Sequence, residues 1–115
     1  MKAVLKGMSN DYVDLNEWHP EDLEDFSVDI LLKIGGASSA GADNFDLVVC
    51  TPRWLSRFSD LGQWGRGMLV VNRYDIDLIR ARVTSCIDDC VADDWPSIAS
   101  QLSRFFLWEF EGYVS

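Results

Sequence analysis

The chain has 115 residues, a length that suits a single hydrophobic core, and it is 48% hydrophobic with five Trp, six Phe and three Tyr, which excludes a disordered acidic chain. Nineteen Asp and Glu against ten Lys and Arg give a formal net charge of -9 at pH 7, a surface that repels nucleic acid and anionic lipid and suits either a basic protein partner or solubility alone. No apolar run approaches the ~20 residues of a membrane span, no signal-peptide pattern opens the chain, and the three cysteines form no disulfide framework, so the expectation is one cytoplasmic domain over 1-115.

Met1 to Lys6 alternates in polarity and predicts a first strand, ended by Gly7. A long loop follows. Phe26, Val28, Ile30, Leu32 and Ile34 recur at every second position and predict a strand with one strongly buried face, with Asp29 and Lys33 on the wetter one. Gly35 to Asp43 is a flexible connection, after which Phe45, Leu47 and Val49 resume the alternation as the second arm of an antiparallel hairpin. Thr51 before Pro52 starts a helix, because the hydroxyl caps free N–H groups and proline costs nothing in a first turn. Its predicted buried stripe is Trp54, Leu55, Phe58 and Leu61, ended by Gly62.

Gly65 and Gly67 bracket a turn, and Met68 to Tyr74 predicts a further strand. Asp75 caps a helix over Ile76 to Val91, whose buried face carries Ile76, Ile79, Val83, Cys86, Ile87 and Cys90. Asp94, with Pro96 in the first turn, opens a last helix with the stripe Ile98, Leu102, Phe105 and Phe106. Leu107 to Val114 forms either a fraying turn or a short added strand. Long parallel crossovers are scarce in this order, so the expected fold class is α+β: an antiparallel sheet of four to five strands with about three helices packed on one face.

Catalytic chemistry finds little support. His19, beside Pro20, is the only histidine, so any triad or two-histidine metal site would hang on one loop residue. Cys86 and Cys90 lie one helical turn apart, but nothing nearby completes a tetrahedral metal set, and both fall on an apolar stripe where cysteine packs as a small hydrophobe. Cys50, before a helix cap, has a position that can depress a thiol pKa, yet it lacks a base, and a buried structural role suits it better. The glycines at 35–41 and 62–67 form no phosphate-binding pattern, and the acid pairs lack the order of a calcium loop. The expectation is no enzyme, no cofactor and no metal.

The feature with functional content is the acidic run from Asp11 to Asp29, which contains no Lys or Arg and is interleaved with aromatic and aliphatic residues. A purely solvating tail would lack such anchors, and the run reads either as a solvated loop or as a docking surface for a basic partner. The candidate contact set is the acids Asp11, Asp14, Glu17, Glu21, Asp22, Glu24 and Asp25, with Tyr12, Trp18 and Trp64 as aromatic anchors.

Three stretches, E-W-H-P-E-D-L-E-D-F at Glu17 to Phe26, C-T-P-R-W-L at Cys50 to Leu55 and L-W-E-F-E-G-Y at Leu107 to Tyr113, resemble the immunity protein 8 family of bacterial polymorphic toxin and contact-dependent inhibition systems. The resemblance implies a protein that binds the C-terminal domain of a cognate toxin in the cytoplasm and neutralises it stoichiometrically. The expected partner is basic, a cytosol-acting nuclease, with no nucleic acid or membrane engaged and a free state that is a monomer or weak dimer. An acidic nucleic-acid mimic acting on a DNA- or RNA-binding protein is the alternative, and a small enzyme a more distant one.

Overall fold

The computed structural model describes residues 1–58 and 62–111. Five strands and three helices follow in the order β1 (Ala3–Ser9), β2 (Ser27–Gly36), β3 (Asp43–Cys50), α1 (Pro52–Phe58), β4 (Met68–Val70), α2 (Ile76–Asp88), α3 (Trp95–Leu102) and β5 (Leu107–Trp108). The sheet runs β1-β2-β3-β4, and β5 shares the outer edge of β3 with β4. The α+β class and a mostly antiparallel sheet are as expected, and the 107–111 end does supply an added strand.

The core follows from two periodicities meeting. Val28, Ile30, Leu32 and Ile34 of β2 and Phe45, Leu47 and Val49 of β3 bury one sheet face, and Ile79, Val83 and Ile87 of α2 with Ile98, Ala99 and Leu102 of α3 close over it. Burying a side chain of this kind contributes ~1.5–3 kcal/mol, so this face supplies most of the drive to fold. Both long helices start at a carboxylate: Asp75 accepts from the Asp77 and Leu78 amides at 3.1 Å each, and Asp94 accepts from the Ser97 amide at 2.8 Å. These bonds satisfy donors that a helix N-terminus leaves open.

Four local expectations need correction. First, β1 does not stop at Gly7. It runs to Ser9 through an irregularity between Leu5 and Gly7, because a glycine there lets the strand take an extra residue and resume pairing.

Second, the predicted strand over Met68 to Tyr74 is three residues long and pairs with β3 in parallel, Val48 opposite Met68 and Cys50 opposite Val70. The Val71 amide still donates to the Cys50 carbonyl at 2.9 Å, but β3 ends there and offers nothing further to pair with. The parallel geometry requires a crossover, and α1 lies within it.

Third, α1 carries no buried residue. Phe58 is 63% exposed and stacks on Trp54 at 4.7 Å between ring centroids, while Leu61 lies outside the described residues. Fourth, α3 ends at Leu102 and the following turn rotates Phe105 outward to 46% exposure while Phe106 enters the core.

Two glycines are dictated by close approach. A Cβ on Gly35 would sit 2.2 Å from the Gly41 carbonyl oxygen, so only glycine lets the hairpin close. Gly67, at φ +75, accepts from the Val48 amide at 2.9 Å and donates to the Phe105 carbonyl at 3.1 Å, which brings β3, β4 and the β5 approach to one point. Of the connection expected over Gly35 to Asp43, the strands leave residues 37–42, and these bond to β1: Lys6 donates to the carbonyls of Ser39 and Gly41, and the Ala37 amide donates to the Lys2 carbonyl at 2.9 Å.

Candidate functional site

The acidic loop between β1 and β2 is built by local turns and then fixed from below. Asn10 opens it: its side-chain oxygen accepts from the Tyr12 and Val13 amides at 2.8 and 3.2 Å, and its Nδ2 donates to the Asp29 carbonyl at 2.7 Å. Asp14 folds the next turn, accepting from the Asn16 amide at 3.0 Å through its side chain and from the Trp18 amide at 2.8 Å through its carbonyl. Asp22 does the same for the Glu24 amide at 2.9 Å. Short polar side chains that bond their own backbone two residues on make turns of this kind.

Beneath the loop stands Tyr74. Its amide donates to the Leu23 carbonyl at 2.7 Å and its hydroxyl to the Leu15 carbonyl at 3.2 Å, so one residue holds both halves of the loop. The Trp18 and Phe26 rings meet its ring edge-on at 5.1 and 5.3 Å. Burial pushes the Tyr74 hydroxyl above its ordinary range, which keeps it protonated and donating at neutral pH. Leu15, Pro20 and Phe26 are buried under the same loop. Glu17, Glu21, Asp22 and Glu24 between them are thereby held on the outer surface, while Asp25 is partly buried.

The structure sorts the acids into two groups. Arg53 and Arg57, one helical turn apart on α1, reach the C-terminal end of the loop: Arg53 lies 3.6 Å from Asp22 and 3.7 Å from Glu24, and Arg57 bonds Asp25 directly. The Arg57 hydrogen bond lowers the Asp25 pKa, and the charges of Arg57 and Arg53 add to it against a partial burial that opposes. Asp22, Glu24 and Asp25 therefore serve first as the attachment of α1 to the loop. Asp11, Asp14, Glu17 and Glu21 are exposed and make no ion pair among the described residues.

The aromatic candidates also separate. Tyr12 is 92% exposed between Asp11 and Asp14, and Trp64 is 94% exposed in the segment between α1 and β4. Trp18 is half-buried against Tyr74 and acts as a strut of the loop. Sequence patterning missed Tyr74 and Asn10 as loop-shaping residues, and the pairing by Arg53 and Arg57; the two arginines at i and i+4 immediately after the capped helix start were the visible signal for the last.

The other candidates settle simply. His19 is exposed, and its Nδ1 meets the carbonyl of the adjacent Pro20 at 3.0 Å. Burial pushes the Cys50 thiol up, so its place before α1 does not activate it. Cys90 donates to the Cys86 carbonyl at 3.4 Å as a core residue, and burial, with repulsion from Cys90 and Asp89, pushes Cys86 up to about 11. Among the described residues no group of three His, Cys, Asp or Glu is placed to hold a metal ion, and no helix is long and apolar enough to cross a membrane.

A family model described as immunity protein 8 matches residues 3–113. No curated protein and no solved structure matches the chain.

Proposed function

Because the chain belongs to the immunity protein 8 family, and is therefore an immunity protein of a toxin system with a cognate toxin for a partner, we propose that it neutralises that toxin by stoichiometric binding through the acidic loop. The partner is a basic toxin domain, a nuclease that acts in the cytosol, and the protein works in the cytoplasm as a monomer or weak dimer without turning anything over. The observation that carries this reading is the outward set Asp11, Asp14, Glu17 and Glu21, held on a loop braced by Tyr74, with Tyr12 projecting among them.

Fixed carboxylates of one sign attract a basic surface over roughly a Debye length, ~8–10 Å at physiological salt, and raise the rate of productive encounter. An exposed aromatic beside them supplies contact area that leaves water once the surfaces meet. Asp22, Glu24 and Asp25 contribute to the field, but their pairs with Arg53 and Arg57 must loosen before they bond a partner directly.

Co-expression with the cognate toxin domain, sought first in the gene adjacent to this one, read by complex formation and growth rescue at two salt concentrations, tests the reading. Salt-sensitive binding with rescue supports it. Absence of a complex at either salt concentration removes it, and equal inhibition of several unrelated nucleic-acid enzymes replaces it with nucleic-acid mimicry.

A further inference from the structure

The two faces of the sheet differ in what they carry. Helices α2 and α3 close one; on the other, β2 presents Asp29, Leu31 and Lys33, and β3 presents Asn44, Asp46 and Val48. Leu31, Val48 and Met68 are half-buried yet belong to no part of the hydrophobic core, and Leu107 is 38% exposed.

The strand register orders these residues into two adjacent rows. Leu31 lies opposite Asp46, which lies opposite Leu107; Asp29 lies opposite Val48, which lies opposite Met68. Apolar side chains thus alternate with carboxylates across strands. Neither Asp29 nor Asp46 forms an ion pair among the described residues, and Lys33 is the only cation among these outward positions of β2 and β3. An exposed carboxylate beside an uncovered leucine gains little in the free protein. It gains when a cation arrives and the neighbouring apolar surface leaves water together with it.

This face also joins the acidic loop. Asn10 ties the Tyr12 turn to the Asp29 carbonyl at 2.7 Å, so the loop begins at the end of the Asp29–Val48 row. The net charge of -9 makes a cationic surface the complementary occupant.

We infer that the sheet face left open by the helices is a second docking surface for the toxin beside the acidic loop, taking a face of the toxin domain whose Arg or Lys side chains pair with Asp29 and Asp46 while its apolar residues cover Leu31 and Val48. The inference rests on the immunity reading and extends the interface from the acidic loop onto the sheet: the loop supplies the long-range attraction and the Tyr12 contact, and the sheet face slows dissociation.

The test uses the full chain and the cognate toxin domain identified by the co-expression experiment. Affinity is measured for wild type and for the double variant Asp29→Lys with Asp46→Lys, with thermal melting as the control for folding. Hydroxyl-radical footprinting of the wild-type complex is independent of whether the variant folds. The double reversal is expected to raise Kd at least ~100-fold, chiefly through faster dissociation, with protection of Leu31 and Met68 in the footprint.

If wild type binds and protects while the folded variant keeps its affinity within about threefold, or Leu31 and Met68 stay reactive in the complex, the sheet-face assignment is overturned and immunity stands. If wild type itself does not bind, both fall. A free wild-type dimer that shields the same two residues assigns the face to a second copy and overturns the inference as well.

Discussion

The Tyr74 hydroxyl donates to the Leu15 carbonyl at 3.2 Å across 59 positions of the chain, and through that bond the residue just before α2 governs the shape of the acidic loop. Replacing Tyr74 with Phe keeps the ring against Trp18 and Phe26 but leaves a buried carbonyl without its donor, so the expected cost is about 1 kcal/mol. Urea denaturation measures the cost, and hydrogen exchange of the Glu17 and Trp18 amides should accelerate by more than global stability alone explains. Unchanged exchange there would mean that Leu15, Pro20 and Phe26 hold the loop without the bond.

A second anchor ties the end of the chain to the sheet. One oxygen of Asp43 accepts from the Trp95 indole at 2.8 Å and from the Trp108 indole at 3.0 Å, joining the start of α3 and β5 to β3. Asp43→Ala strands two partly buried donors at once and is expected to cost about 2–3 kcal/mol, whereas Asp43→Asn, which retains an oxygen acceptor, should cost about half as much. Tryptophan fluorescence during denaturation reports both the stability and the local change.

The aromatic residues near the loop should part company on substitution. Trp18→Ala removes a half-buried strut and is expected to destabilise by about 2–3 kcal/mol, less than the ~3–5 of a fully buried tryptophan. Tyr12→Ala should leave melting unchanged and weaken toxin binding about tenfold, since its ring is exposed in the free protein. Melting curves and binding isotherms on the same samples distinguish a folding role from a contact role.

Charge reversal of Asp11, Asp14, Glu17 and Glu21 is expected to lower the association rate at low salt by at least tenfold and to flatten its salt dependence, with a smaller change in dissociation. Stopped-flow association at two ionic strengths is the measurement. Asp25→Asn should behave differently: it releases Arg57 and loosens α1 from the loop, seen as increased protease sensitivity near Arg57.

The pH dependence has a defined sign at the alkaline end. Burial raises all three thiols above their ordinary 9.0, Cys86 to about 11, and raises Tyr74 above 10.0. Folding then favours the protonated forms. The associated stability is complete below the unfolded values and is lost as pH rises through the folded ones, so the urea midpoint should hold to about pH 9 and fall steadily towards pH 11. At the acid end the sign is opposite: the Ser97 bonds lower Asp94, and Arg57 lowers Asp25, so their contributions are lost as pH falls below 3.8 through the folded values.

The sequence by itself determined the elements whose physics is local. Alternation at Val28 to Ile34 and at Phe45 to Val49 fixed a core face, because side chains on a strand can point only two ways. Asp75 and Asp94 marked helix starts because a carboxylate at that position bonds free amides within its own turn. The acidic loop was legible as a charged segment with anchors, and so was the resemblance to the family whose model matches residues 3–113.

Only the tertiary structure decided how the charges divide and which apolar residues stay uncovered. Arg53 and Arg57 lie 31 and 32 positions from the acids Asp22 and Asp25 they meet, a distance at which no periodicity relates them. Alternation already assigned Val49 to the core face and Val48 to the other, but that α2 and α3 leave Val48 uncovered follows from where they pack, on the Val49 side. The parallel placement of β4 and the outward turn of α1 arise likewise from contacts between distant segments, whose energies depend on where the chain has already gone.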